Sequence, residues 1–155
     1  MADIVDSATR SRMMRGIRGK DTKPELMLRR ALHAEGFRYR LHVRDLPGKP
    51  DMVLPRYRAV IFVHGCFWHG HDCPLFRLPA TRPEFWREKI GGNRARDARV
   101  IGELLSAAWR VLSVWECAFR GKGAIGLEET VARAAAWLRG SETTGDIRGV
   151  IHGAG

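Results

Sequence analysis

The sequence predicts one mixed α/β domain, a small central sheet flanked by helices. Three observations carry that reading. Short apolar, β-rich runs alternate along the chain with longer runs of helical spacing. With 155 residues, 45% of them hydrophobic, the chain can fill one buried core and is too apolar for general disorder. No internal repeat or low-complexity block divides it, and no run approaches the roughly 18 apolar residues of a membrane span.

Asp6 to Arg18 reads as a basic helix whose apolar residues are Met13, Met14 and Ile17. Thr22-Lys-Pro-Glu25 opens a second helix: Thr22 caps it, Pro24 sits in its first turn, and Glu25 follows three residues after the cap. Leu26, Leu28, Leu32 and Phe37 give it a buried side, and Gly36 terminates it. Phe37 to Leu41 alternates in the manner of a strand. Leu46 to Pro50 turns, and Asp51 to Leu54 leaves that turn as a short strand. Pro55 to Tyr57 turns again into Ala59 to Val63, an apolar run suited to the centre of a sheet. Paired as a hairpin, these two strands would bring Asp51 and His64 to one end of the sheet. Val63 to about Leu78 is irregular. Thr81-Arg-Pro-Glu84 repeats the capping pattern and starts a long helix that runs to Ala108. A break is expected at Gly91-Gly92, where each glycine costs about 1 kcal/mol relative to alanine. Val100, Ile101, Leu104, Leu105 and Ala108 keep helical spacing. Arg110 to Trp115 is a strand and Leu127 to Leu138 a helix. From Gly140 onward a Gly-rich tail is expected to fray.

The formal net charge of +10 favours a polyanionic partner. Arg10, Arg12, Arg15, Arg18, Lys20 and Lys23 form one basic cluster. Arg82, Arg87, Lys89, Arg94, Arg96 and Arg99 form another. Each could be a solvated helix face, yet two clusters flanking a His/Cys-rich segment favour contacts to phosphates. Met1 to Arg18 lacks the apolar core of a secretory signal, and Asp3 and Asp6 argue against a transit peptide, so a bacterial cytoplasmic location is expected.

That His/Cys segment reads Val63-His-Gly-Cys-Phe-Trp-His-Gly-His-Asp-Cys73. It holds three histidines, two of the chain's three cysteines and an adjacent Phe-Trp pair. Three cysteines cannot all pair as disulfides, so metal ligation is the better reading in a cytosolic protein. Cys66, Cys73 and Cys117 with one histidine would form a closed four-ligand zinc site. His71 lies nearest Cys73, but spacing alone leaves the choice of histidine open, and buried free thiols are the alternative. The chemistry left over falls to Asp51, His64, His69 and Glu25. A carboxylate at a sheet end can hold magnesium and a nearby histidine can take a proton from water, a combination suited to phosphodiester hydrolysis. Each residue also has an ordinary explanation. Asp51 could be a turn residue, Glu25 a helix cap, His64 a core histidine and His69 a solvent-facing one.

Pro50-Asp51 followed by the Ala59 to Val63 strand is similar to the restriction-endonuclease-like nucleases of the PD-(D/E)xK superfamily, although Phe62-Val63-His64 stands in place of the usual acidic-x-Lys. With the segment that follows, the chain closely resembles the very short patch repair (Vsr) mismatch endonucleases. The match extends over Ala8-Thr-Arg-Ser11, Met14-Arg15, Asp21-Thr22 with Glu25, Leu46-Pro-Gly-Lys-Pro-Asp51, Pro79-Ala-Thr-Arg82 and Glu84-Phe-Trp-x-Glu-Lys-Ile90. It continues through Asn93, Trp109-Arg-Val-Leu112 and Val114-Trp-Glu-Cys117.

The resemblance implies a restriction-endonuclease-like single domain with a structural zinc site, which nicks duplex DNA 5′ of the thymine in a T·G mismatch left by 5-methylcytosine deamination. It implies that Asp51 and the carbonyl of Val63 bind Mg2+, that His69 is the general base, and that His64 and Glu25 support the metal-water shell. Cys66, His71, Cys73 and Cys117 would bind Zn2+. Phe67, Trp68 and Trp86 would wedge into the base stack from the major groove and Met14 from the minor groove, while Lys89 and Asn93 would read the mispaired bases. Wedging costs a few kcal/mol per base step, and less where a mismatch has already weakened the stack. Core packing is the alternative for the three aromatics; for adjacent Phe67 and Trp68 in a metal-bound loop, exposure is expected. The implied organisation is a DNA-contacting basic helix over 1–20, an endonuclease domain over 21–139 and a flexible tail over 140–155. A monomer at the nucleoid is expected, with double-stranded DNA and mismatch-repair proteins as partners and no membrane. The rivals are a zinc-stabilised DNA-binding protein without catalysis and a defence nuclease indifferent to mismatches. A zinc hydrolase is disfavoured, since neither His-Glu-x-x-His nor Pro-Cys-x-x-Cys occurs.

Overall fold

The computed structural model describes residues 22–150. The helix expected over 6–18, and Met14 with it, lies outside the described residues. Helix α1 (Lys23–Ala34) is followed by a loop into β1 (Met52–Leu54), a 3-10 turn (Pro55–Tyr57) and β2 (Ala59–His64). An irregular segment then leads to α2 (Pro83–Ser106) and β3 (Arg110–Trp115). A second 3-10 turn (Glu116–Ala118), α3 (Gly126–Arg139) and β4 (Thr144–Ile147) complete the order. The strands form one mixed sheet in sequence order. β1 runs antiparallel to β2, as the hairpin reading expects, and β3 and β4 run parallel to β2.

Strand alternation divides the core into two layers. Met52, Leu54, Ala59, Ile61, Leu112 and Val114 face α1 and α3, joining Leu28, Leu32, Val131, Ala134 and Leu138. Val53, Val60, Phe62 and Val111 face the other way, onto Val100 and Leu104 of α2. Apolar residues on both strand faces are what a sheet covered by helices on both sides requires. Among the described residues no helix is long and apolar enough to cross a membrane.

Several elements differ from their sequence expectation. Phe37 to Leu41 is not a strand: Arg40 makes a single bridge to Val53, and His42, at φ +57°, turns the chain away. The sheet instead gains β4 from the segment expected to fray, because Ile147 is buried and Val111 to Val114 offer a free parallel edge. α2 passes through Gly91-Gly92 unbroken. Both glycines face solvent, while Ile90 and Asn93 pack inward and hold the turn. The Thr22 and Thr81 capping boxes do not form. Thr22 occupies the N-cap position of α1 without a side-chain bond, and Glu25 pairs with Arg29 one turn on. α2 starts a residue later than Thr81 predicts, with Arg82 in the left-handed region at its N-cap and Pro83 in the first turn.

Candidate active site

The site forms where β1, β2 and α2 meet. Val60, Phe62 and His64 follow one another on the α2 side of β2, and His64 leaves the strand with its ring stacked 5.6 Å from Phe62. The inward stripe of α2 runs Ile90, Asn93, Asp97, Val100 and Leu104, spaced by three and four. Its apolar ends pack; its polar middle faces the cleft. Asp51 precedes β1, where its own N–H donates to the Ile61 carbonyl (3.0 Å) and its Oδ2 accepts from the Val63 N–H (2.6 Å). Asp51, Val63, His64, His69, Asn93 and Asp97 all line one cleft of about 800 Å³. Phe67 and Trp68 line the same cleft, as do the cations Lys23, Lys49, Arg96 and Arg120.

The two cleft histidines differ in character. His64 is buried 4.2 Å from His69, ring to ring, and burial holds its pKa down at about 3. His69 and His71 push in the same direction and Asp97 against it. His64 is therefore neutral at neutral pH. His69 is half-buried, its Nδ1 2.5 Å from Asp97 Oδ2. A carboxylate only accepts, so Nδ1 carries a proton, and in the neutral ring the lone pair then sits on Nε2, the tautomer a general base needs.

The aromatics form a cluster of their own. Phe67 meets Trp68, Trp86 and Phe76 at centroid distances of 5.2, 5.4 and 6.0 Å, and Trp68 meets Trp86 at 5.7 Å. The expected exposure of Trp68 is corrected here: it is only 5% exposed, while Phe67 and Trp86 are half-buried. Edge contacts within the cluster cover its faces, and its carbonyl accepts from Asn93 Nδ2 (2.9 Å). Asn93 is itself buried, with Arg96 donating to its Oδ1 (3.3 Å). Lys89 is exposed on α2 and does not line the cleft. Glu25 is buried beside Lys23 and Pro24, which do line it, and is paired with Arg29.

Behind the cleft, Cys66, His71, Cys73 and Cys117 gather with all ligand atoms within 4.8 Å of one another. His71 Nδ1 lies 3.5 Å from Cys66 Sγ and 3.6 Å from Cys117 Sγ. Tetrahedral zinc, with bonds of about 2.3 Å to sulfur and about 2.0 Å to nitrogen, sets such pairs roughly 3.5 Å apart, so the donor set fits that ion. Burial raises the pKa of the Cys66 and Cys117 thiols, as do neighbouring cysteines, and a divalent cation among them reverses that preference. Trp115 separates this cluster from the cleft. Its ring stacks on His71 at 3.8 Å and meets His64 at 4.8 Å, and its Nε1 donates to Asp146 Oδ1 (2.7 Å).

Sequence reasoning missed Asp97 and Trp115. Asp97 was legible as the one acid in a run of arginines, four residues after Asn93 on the helix stripe. Trp115 stood out only as part of its strand and of the Val114-Trp-Glu-Cys117 match, with no role attached to it.

A cleft that combines wall cations with a polarised imidazole suits attack on a phosphodiester, with the cations holding phosphates and the imidazole accepting a proton from water. The class so defined is a nuclease. The family model described as DNA mismatch endonuclease Vsr matches residues 2–75. The DNA mismatch endonuclease Vsr of Escherichia coli is 49% identical over 147 residues, 95% of this chain and 94% of that protein. The type II nicking enzyme V.XorIIP of Xanthomonas oryzae is 47% identical, covering 81% of this chain and 92% of its own. V.NmeAIP of Neisseria meningitidis is 43% identical, covering 79% and 87%. The chain belongs to the Vsr family of DNA mismatch endonucleases.

Proposed function

We propose that the protein is a magnesium-dependent endonuclease that nicks one strand of duplex DNA 5′ of the thymine in a T·G mismatch produced by 5-methylcytosine deamination. The nick starts very short patch repair. The observation that carries this reading is the convergence of Asp51, His64 and the His69–Asp97 pair on one cleft walled by cations and aromatics. Membership of the Vsr family supports it, and the relatives described as nicking enzymes favour cleavage of a single strand. A mixed sheet that opens with an antiparallel hairpin is compatible with a restriction-endonuclease-like domain.

In this reading Asp51 and the Val63 carbonyl hold Mg2+, which when bound stabilises the charge of the attacked phosphate. His69 Nε2 takes the proton from water while Asp97 fixes its tautomer. Neutral His64 packs against His69 and limits the ring's movement. Glu25 supports the same end of the sheet from the first turn of α1. Lys23, Lys49, Arg96 and Arg120 engage backbone phosphates. Phe67 and Trp86, backed by Trp68, press against the mismatched step, and Met14 acts from the N-terminal segment. Lys89 reaches base edges, and Asn93, tied to the Trp68 carbonyl, holds the aromatic loop on α2. Zn2+ in the Cys66–His71–Cys73–Cys117 set fixes the loop to the end of β3. The enzyme works as a monomer at the bacterial nucleoid, beside mismatch-repair proteins.

Incubation of an end-labelled T·G duplex and its T·A counterpart with protein and Mg2+ tests the proposal. One cut, 5′ of the mismatched thymine and only in the first duplex, is expected. Equal cutting of both would refute mismatch dependence, and no cut in any methylation context would leave a DNA-binding protein.

A further inference from the structure

The Cys/His cluster is closed on one side by the chain that leaves β4. After buried Ile147, three successive residues make specific contacts. The Arg148 guanidinium crosses to the loop, donating from NH1 to Asp72 Oδ1 (2.5 Å) and from NH2 to the Asp72 carbonyl (2.9 Å). Asp72 stands between His71 and Cys73. The Gly149 N–H donates to Cys117 Sγ (3.3 Å), and the Val150 N–H donates to the Gly123 carbonyl (2.7 Å). Two backbones touch here with no room for a side chain. A Cβ on Gly149 would fall 2.4 Å from the Cys117 carbonyl oxygen, and one on Gly123 would fall 2.0 Å from that of Val150.

We propose that residues 148–150 form a clasp that retains the metal ion of the Cys66–His71–Cys73–Cys117 site. The inference rests on the metal reading above. Three thiolates and a neutral imidazole around a divalent ion leave one excess negative charge. The Gly149 N–H, donated to Cys117 Sγ, offsets it directly, while the Arg148 guanidinium, balanced by the Asp72 carboxylate, serves to hold the loop. The kinetic consequence is larger. An ion leaves only when ligands swing away, and the clasp ties down both sides of the site: Gly149 holds Cys117 at the strand end, and Arg148 holds the loop residue between His71 and Cys73. Neither segment opens until the clasp undocks.

The test is zinc release from the full chain into excess chelating dye, at a temperature where circular dichroism shows every variant folded. Arg148→Gln and Gly149→Ala should each release zinc about 10- to 100-fold faster than wild type, the range typical of lost groups behind metal ligands. Ser141→Ala, changed at an exposed side chain outside the clasp, should release at the wild-type rate. Wild-type release from both Arg148→Gln and Gly149→Ala would overturn the clasp. Equal acceleration in Ser141→Ala would overturn it too, since release would then follow a general loosening and not the clasp. If Gly149→Ala does not fold, Arg148→Gln decides. Wild type purified without zinc would instead remove the metal reading beneath it.

Discussion

Asp97→Ala isolates the link between helix α2 and the chemistry. In the proposed mechanism Asp97 is a positioning residue, acting through its contact with His69 Nδ1. A well-placed general base contributes about 10²- to 10⁴-fold to a rate. At 1.36 kcal/mol per decade that is roughly 3–5 kcal/mol of barrier. Asp97 only orients that base, so the loss in Asp97→Ala should not exceed the loss in His69→Ala. Its side chain is 27% exposed, and truncation should leave the melting temperature close to wild type. The assay is single-turnover nicking of a labelled T·G duplex, with binding followed separately by fluorescence anisotropy. A fall in rate of at least 100-fold with binding retained is expected. Combined with His69→Ala, the second substitution should add almost nothing, since both remove one catalytic unit. Full additivity in the double variant, or an Asp97→Ala rate within threefold of wild type, would refute the pairing as the source of the base.

Asp51→Ala should abolish nicking while duplex binding is largely kept; turnover within tenfold of wild type would put the Mg2+ site elsewhere. Cys117→Ser should lower bound zinc and the melting temperature together, and a full zinc complement measured by atomic emission would break the four-ligand assignment. Trp68→Ala should destabilise the fold by about 3–5 kcal/mol, as loss of a buried aromatic does, and should weaken the preference for T·G over T·A. Unchanged urea unfolding would contradict its burial, and unchanged discrimination would confine it to packing.

Elements with a local signal were legible in the sequence. Ala59 to Val63 and Arg110 to Trp115 are apolar on both faces and became the paired centre of the sheet. Leu28 and Leu32 became fully buried on α1. Where the outcome depended on a partner, local pattern misled. Phe37 to Leu41 alternates well, but β1 is only three residues long and gives it one bridge. Thr144 to Ile147 looks like tail, yet the β3 edge recruits it. Trp68 sits in a chemistry-rich loop, and only the positions of Phe67 and Trp86 around it explain its burial. The three cysteines were legible as ligands from residue type, but the fold was needed to single out His71 among the segment's three histidines, and the His69–Asp97 pair, 28 residues apart, needed the loop to fold back onto α2.

One strand pairing builds both centres. β2 and β3 are parallel and in register to their last residues, with His64 opposite Trp115. Parallel strands end on the same edge of a sheet, so the residues just beyond each end are neighbours. Beyond His64 comes Cys66, and beyond Trp115 comes Cys117; the Cys66 N–H donates to Glu116 Oε1 (3.1 Å) across that gap. A metal ion bound by Cys66 and Cys117 would therefore clamp the register that also sets His64. Trp115 carries the connection inward, stacked on His71 on one side and packed against His64 on the other. A slip of one residue between β2 and β3 would exchange the faces of every side chain on the slipped strand. It would part Cys66 from Cys117 and turn His64 away from His69 at once. Apolar residues on both faces tolerate such a slip better than an alternating strand does, so a sheet covered on both sides gains most from a metal pin at its edge.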